Sequence, residues 1–434
     1  MSIPILRLPE ELRRAVLSYC NSSTVLSLCL ACRAFNDVFV DSIYHTIDLS
    51  VHNEDTWGRH SEYINVHLPA DHVKRTRTHR DVAILLRQSK LISLLQKHPE
   101  LGSKTRVLRW TLMDDAGDSR WSRIPFAEFN DGTETLWQTF RCFSNVTEID
   151  LAFMTQYREQ TAPPPLFATA TTVSLTGIVS HAVLSSILSS IAPARLHHLR
   201  LNNVQTFADP DTILDALSPN EVDLHRRTRT GLLYGYLKVL TSCCPTLQTL
   251  YISTAGQFLD NSRTFRNTPS PAGQQELDDG ANEYAEIGSF LESVKGTLKE
   301  FVFEHGPDME YFHVSPTSSN LLPQLGLSLT APLPMDVFFD SNILPVLSSR
   351  PWPKLRRIVV RGVGQWLPVD PWQENSGSEE VAYLHRKIKE FRNRAELIWD
   401  AVDIDRVEVV VEDEASRPFY GLRADKRRNL TGIR

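Results

Sequence analysis

Two cysteines three positions apart are the first residues of this sequence that could do chemistry. Cys29 and Cys32 have the spacing of a dithiol redox site or of half a zinc site. A zinc site needs two further ligands, and no second cysteine pair follows at a suitable distance. Both cysteines also lie inside an apolar helical pattern, where a thiol packs as a small hydrophobic side chain. We therefore expect both to be structural and the protein to hold no metal.

Five histidines in the next segment are a second set of possible ligands. They are His52, His60, His67, His72 and His79. Their spacing is irregular and no cysteine lies among them, so a solvated or locally capped segment is favoured over a metal site. The sequence also lacks a phosphate-binding glycine loop, a Gly-x-Ser-x-Gly nucleophile turn and a His-Glu-x-x-His pair. We predict a non-catalytic protein without a cofactor.

The N-terminal residues have the pattern of three short helices. After a Leu-Pro pair, Leu12, Val16 and Tyr19 recur at helical spacing, and an apolar stretch at 25–32 predicts a second helix. A third follows from Phe35. So small a unit has little interior, and it has neither disulfides nor a metal site to stabilise it. We therefore expect part of its apolar surface to belong to a partner.

The order of these residues resembles an F-box from the Leu-Pro pair at 8–9 to Phe35. In that family, three helices bind the Skp adaptor of SCF-type ubiquitin ligases, which joins them to a cullin scaffold. The sequence departs from the family at Cys20, where leucine is more common, and in the short polar turn at 21–24. The alternative to an F-box is an unrelated helical cap on the rest of the chain.

The resemblance also implies which side chains face the adaptor or support the surface that does. They are Leu8, Pro9, Leu12, Val16, Leu26, Leu28, Cys32 and Phe35.

A second pattern recurs after residue 100: a hydrophobic residue, another three positions on, and a third two beyond that. Clear copies start at Leu196, Leu247, Leu298 and Leu355. Weaker copies start at Thr105, Val146, Ala170 and Ile404. The alternating end of each copy is typical of a short strand with one buried face. Helical patterns lie between the copies, at 183–191, 232–240, 287–294 and 379–402. Together they predict strand–helix–strand units.

The spacing of the copies at 146, 170 and 196 lies within the roughly 20–29 residues of leucine-rich repeats. Later copies are about twice as far apart, so irregular repeats are expected. This part of the chain resembles the leucine-rich-repeat domains that often follow F-boxes. We therefore predict an α/β fold with a small all-α F-box at 1–50, a linker or adapting helical segment at 51–100, and a curved parallel-sheet, leucine-rich-repeat-like solenoid at 101–434.

Long polar stretches at about 255–282, 306–334 and 362–378 predict loops inserted between the repeats. Recognition often resides in long loops on a repeat scaffold. Three tryptophans lie in or near these loops and would either anchor a partner or cap the local core. They are Trp352, Trp366 and Trp372.

Composition narrows the possible partners and compartments. The net charge of −6 gives no general attraction to nucleic acid, and no stretch approaches the roughly 18 apolar residues of a membrane span. The N-terminus lacks the pattern of a secretory signal. Six cysteines are too few for a disulfide framework, and Cys243 and Cys244 lie in an apolar pattern that predicts reduced, buried thiols. We expect a cytoplasmic or nuclear protein that binds neither nucleic acid nor membrane.

The functional expectation is a substrate-recognition adaptor of an SCF-type ubiquitin ligase. Its F-box would bind the Skp adaptor, and its repeat domain would bind a target protein. One alternative is a protein-binding scaffold whose F-box-like helices only cap the solenoid, with no role in ubiquitin transfer. A second alternative is an enzyme hidden in the body, which would need a deep pocket with converging titratable groups.

Overall fold

The structure is a computed structural model of the 434-residue chain. It describes residues 8–20, 22–31, 33–50, 79–113, 136–154, 163–179, 181–207, 230–232, 235–254, 271–305, 334–363, 378–402 and 407–412. The three predicted N-terminal helices are present as α1 (Glu10–Ser18), α2 (Ser22–Ala31) and α3 (Arg33–His45). Strand β1 (Thr46–Leu49) follows α3 directly. Helix α4 (His79–Lys97) and a 3₁₀ helix (Pro99–Lys104) then lead into the sheet.

Nine parallel strands form the sheet in the order in which they occur along the chain. After β1 come β2 (Val107–Met113), β3 (Glu148–Met154), β4 (Thr172–Ile178), β5 (His198–Phe207), β7 (Thr249–Thr254), β8 (Glu300–His305), β9 (Arg357–Arg361) and β10 (Glu408–Glu412). The short β6 (Thr230–Leu232) pairs antiparallel with the end of β5. The predicted α/β class is confirmed, whereas a leucine-rich-repeat solenoid stays a prediction.

Helices occupy the connections between the strands. They are α5 (His181–Ser190), α6 (Pro271–Val294), α7 (Pro334–Phe338), α8 (Leu344–Ser348) and α9 (Ser378–Ala401). A π-helix (Phe339–Ile343) joins α7 to α8, and further helical turns lie at 136–141. None of the helices that the structure describes is long and apolar enough to cross a bilayer.

The buried face of the sheet consists of two rows of apolar side chains in matching register, which we call the core rows. The first contains Ile47, Leu108, Ile149, Val173, Leu199, Leu250, Phe301, Ile358 and Val409. The second contains Leu49, Trp110, Leu151, Leu175, Leu201, Ile252, Phe303, Val360 and Val411. The recurring sequence pattern thus places two apolar residues of each strand against the helices, and burial of these rows is the main stabilising contribution of the sheet.

The copy that starts at Ile404 places Val407 and Val409 on the buried side as predicted, and the register adds Val411 to the same side. Two other predictions about this region are wrong in detail. The helix predicted at 232–240 is replaced by the end of β6 and by turns. Residues 271–282, expected in a loop, begin α6.

The cysteine and tryptophan predictions have mixed outcomes. Cys244 is buried as expected, whereas Cys243 is exposed because it lies in a turn outside the core. Trp352 is buried, and its indole nitrogen donates to the Leu347 carbonyl at 3.2 Å, so this residue caps the local core. The remaining tryptophans of that group, at 366 and 372, and most of the loops at 306–334 and 362–378 lie outside the described residues.

Candidate functional site

A small apolar core holds α1, α2 and α3 together and is separate from the core under the sheet. Its buried members are Leu17, Val25, Cys29 and Phe39. The ring of Phe35 stacks on Phe39 with centroids 5.4 Å apart. Burial raises the pKa of the Cys29 thiol, which favours the unreactive protonated form. The first cysteine of the candidate redox pair is therefore a packing residue, and Cys32 lies outside the described residues.

The other sides of α1 and α2 carry exposed apolar side chains. On α1, Leu12, Val16 and Tyr19 follow one another at helical spacing and are 52%, 39% and 92% exposed. On α2, Leu26 and Leu30 lie one turn apart and are 49% and 79% exposed. We call these five residues the apolar surface of α1 and α2. Clustered apolar side chains gain free energy when a second molecule removes them from water, so this arrangement suits docking.

Three of the residues predicted to face the adaptor belong to this apolar surface, namely Leu12, Val16 and Leu26. Pro9 is exposed and occupies the N-cap of α1. The helix therefore begins at Glu10, whereas a proline at the first helical position would have made it begin at Pro9. No contact with an adaptor tests these assignments, so their binding roles stay predictions.

The remaining predicted residues have supporting positions or are not described. Leu8 is half-buried. Leu28 and Phe35 are also half-buried, and both pack on the small core of the three helices. Sequence reasoning left Tyr19 and Leu30 out of the candidate site, although each lies three or four residues beyond a chosen one. Helical spacing from Val16 and Leu26 is the signal that would have found them.

The comparison with protein families gives a match for these helices. The family model of the F-box domain matches residues 5–46, which span α1, α2 and α3. The chain therefore contains an F-box domain at its described N-terminal helices. F-box domains bind Skp-type adaptors, so this domain suggests an adaptor role in a ubiquitin ligase. Comparison with curated proteins finds no match.

The F-box domain is joined to the sheet without a connecting loop. Helix α3 ends at His45, β1 begins at Thr46, and the Arg106 amide donates to the His45 carbonyl at 2.9 Å. The Lys104 ammonium pairs with the carboxylate of Asp41 on α3. The last helix of the F-box domain is therefore fixed to the first two strands of the body.

The second face of the sheet, opposite the core rows, carries charged side chains in alternating order. Arg109 on β2 lies 3.0 Å from Glu148 on β3 and 3.8 Å from Asp48 on β1. The hydrogen bond that Arg109 donates to Glu148 is the largest contribution that raises the pKa of Arg109. Near the other edge of the sheet, Arg357 on β9 lies 2.7 Å from Glu300 on β8 and 3.3 Å from Glu408 on β10. Each arginine is thus held between carboxylates of neighbouring strands.

Between these two groups, Arg200 on β5 lies over the ring of Tyr251 on β7, with the guanidinium carbon 4.5 Å from the centroid. Burial and the nearby Glu304 carboxylate raise the pKa of Tyr251, so the phenol keeps its proton. Glu304 itself pairs with Arg361 at 3.0 Å. The pair of Arg200 and Tyr251 therefore joins β5 to β7 on the second face of the sheet.

A buried polar network connects the ends of β7 and β8 to the helices. The Tyr284 hydroxyl lies 2.8 Å from His305 Nδ1 and 3.2 Å from the Thr254 hydroxyl. Burial lowers the pKa of His305, which keeps the ring neutral. Nearby, Arg394 on α9 makes two hydrogen bonds to Asp340 on the π-helix, at 2.6 and 2.7 Å. The first set ties α6 to the ends of two strands, and the second ties α9 to the π-helix.

The histidines that were considered as metal ligands lie mostly outside the residues that the structure describes. The predicted histidines at 52, 60, 67 and 72 lie outside the described residues, and His79 begins α4. Within the described ranges, no group of three or more His, Cys, Asp or Glu side chains is arranged to hold a metal ion.

Proposed function

We propose that this F-box protein is a non-catalytic substrate-recognition subunit of an SCF-type ubiquitin ligase. Its F-box domain binds the Skp adaptor, and through it the cullin scaffold, while the sheet and its loops bind a target protein. The protein acts in the cytoplasm or nucleus. It promotes ubiquitin transfer by proximity, because holding the target beside the conjugating enzyme raises the effective concentration of the reactants.

The observation that carries this proposal is the exposure of apolar side chains on the F-box domain. Leu12 and Leu26 are about half exposed, although each lies on a helix whose other side is packed in a core. A helical unit that served only to cap the solenoid would turn these leucines towards the sheet. Their exposure supports an external partner, and the family match supports a Skp-type adaptor as that partner.

The test is the affinity of the full-length chain for purified Skp adaptor, measured by isothermal titration calorimetry. The variant carries Leu12→Ala and Leu26→Ala. Burial of the exposed half of a leucine side chain contributes about 1 kcal/mol, so the double variant is expected to lose about 2 kcal/mol, or roughly 30-fold in affinity. Circular dichroism checks that the variant keeps its helices.

Leu86→Ala is the matched control because Leu86 is 43% exposed on α4, outside the F-box domain. This variant is expected to bind as the parent does. If the folded parent binds no Skp adaptor, the adaptor role is refuted and the scaffold alternative takes its place. If Leu86→Ala weakens binding as much as the double variant, the adaptor does not dock on the apolar surface of α1 and α2.

A further inference from the structure

The last strand of the sheet, β10, leaves its core residues partly exposed. Among the described residues, only β9 pairs with it. Val409 and Val411 are only partly buried, whereas every core-row residue of the other eight parallel strands is 8% exposed or less. At the opposite edge, Ile47 and Leu49 are buried because α3 and α4 contact β1. Within the described ranges, one edge of the sheet is therefore covered and the other is free.

On its outer side, the backbone of β10 has groups that pair with none of the described residues. The Glu408 amide donates to the Arg356 carbonyl at 2.8 Å, so the backbone groups of Glu408, and of every second residue after it, point towards β9. The N–H and C=O groups of Val409 and Val411 then point away from the sheet. No backbone hydrogen bond to these four groups occurs among the described residues. Such a row is a template for an added strand.

The sequence of β10 defines the chemistry of the strand that would fit. Glutamates at both ends flank three valines in the segment Glu408–Glu412. On the second face, Val410 continues a row that includes the buried Val302 and Val359. An incoming strand needs apolar residues beside the valines, and cationic residues beside the glutamates would add favourable pairs.

A second copy of the chain is a poorer occupant. Antiparallel pairing of β10 with itself would place Glu408 opposite Glu412 at both ends, and like charges directly opposite each other destabilise a strand pair. We propose that the free edge of β10 binds an extended segment of another protein with the order basic–apolar–apolar–apolar–basic. This proposal does not rest on the adaptor role, because the F-box domain lies at the other end of the sheet.

The first experiment measures binding of a fluorescein-labelled peptide, Gly-Lys-Val-Val-Ile-Lys-Gly, to the full chain by fluorescence anisotropy. The peptide in which glutamate replaces both lysines is the control and is expected to bind at least about tenfold more weakly. The variant Val411→Pro removes an outward N–H and no hydrogen bond to β9, so it is expected to weaken binding at least about fivefold. Val411→Thr keeps the N–H and the branched shape, and it is expected to bind as the parent does.

A charge exchange provides a second test that does not depend on the folding of the proline variant. Glu408→Lys leaves one cationic and one anionic residue at the ends of β10, so it is expected to abolish the preference between the two peptides. The proposal is overturned if the parent binds no peptide at up to about 1 mM, or if Val411→Pro binds as tightly as Val411→Thr. It is also overturned if sedimentation shows a dimer of the parent that Val411→Pro dissociates and neither peptide binds, because a second copy would then occupy the edge.

Discussion

The side chain of Gln88 extends the sheet at its first edge, and removing its amide is expected to destabilise the protein. Gln88 is buried on α4, and its amide nitrogen donates to the carbonyls of Leu49 and Thr111, both at 2.9 Å. Strand β1 ends at Leu49 while β2 continues to Met113, so the amide replaces a strand that would otherwise pair there. Gln88→Leu keeps the size of the side chain and leaves two buried carbonyls without this donor. At about 1–3 kcal/mol for each carbonyl that loses this donor, the expected loss is about 2–6 kcal/mol.

Urea denaturation followed by circular dichroism and tryptophan fluorescence measures this loss as a change in the free energy of unfolding. Gln96→Leu is the matched control, because Gln96 is exposed on the same helix, and its change should stay within about 0.5 kcal/mol. Hydrogen exchange should show faster exchange of the β1 amides in Gln88→Leu. A free energy of unfolding for Gln88→Leu within about 0.5 kcal/mol of the parent would refute the assignment of Gln88 as a substitute strand.

Three further changes test other parts of the structure. Gly362→Ala should lower the free energy of unfolding by about 3 kcal/mol or more, because φ at Gly362 is +76° and the new Cβ would lie 2.1 Å from a carbonyl oxygen of β8. Gly296→Ala is the control, since its new Cβ would have no atom within 4 Å, and its thermal unfolding should match that of the parent. Burial and a nearby carboxylate raise the pKa of Glu283 in the folded protein well above 4.5. The parent should therefore lose stability as pH rises through this raised pKa, and urea titrations at a series of pH values should show a smaller loss for Glu283→Gln. Iodoacetamide should modify exposed Cys243 in the folded protein but not buried Cys244, whose pKa is raised to about 12, as peptide mass analysis can determine.

Eight of the nine parallel strands among the described residues were predictable because each repeats the same spacing of apolar residues, and the sheet uses that spacing to fill its core rows. Strand β1 was not predicted, since the four residues Thr46–Leu49 start no copy of the pattern. The failure at 232–240 has a different cause. Tyr236, Leu237 and Leu240 are buried at helical spacing, but successive turns place them in the core equally well.

The F-box surface was only partly predictable because periodicity identifies an apolar face without identifying what covers it. On α1, the stripe that includes Leu12 and Val16 faces outward, and Leu17 faces the small core. On α2, apolar residues occur almost all round, and the fold alone decides that Val25 turns inward and Leu26 outward. Side-chain partners distant in sequence, such as those of Gln88, leave no local pattern.

The direct continuation of α3 into β1 has a consequence for the proposed adaptor role. A flexible linker would let a bound target sample many positions, and effective concentration falls as the accessible volume grows. Here the His45 carbonyl is held by the Arg106 amide, and Asp41 on the same helix is held by Lys104. The register of β1 on β2 therefore sets the orientation of the F-box domain relative to the sheet. A target bound to the body would be presented at a defined distance from the Skp adaptor, so the geometry of ubiquitin transfer would depend on packing within this chain.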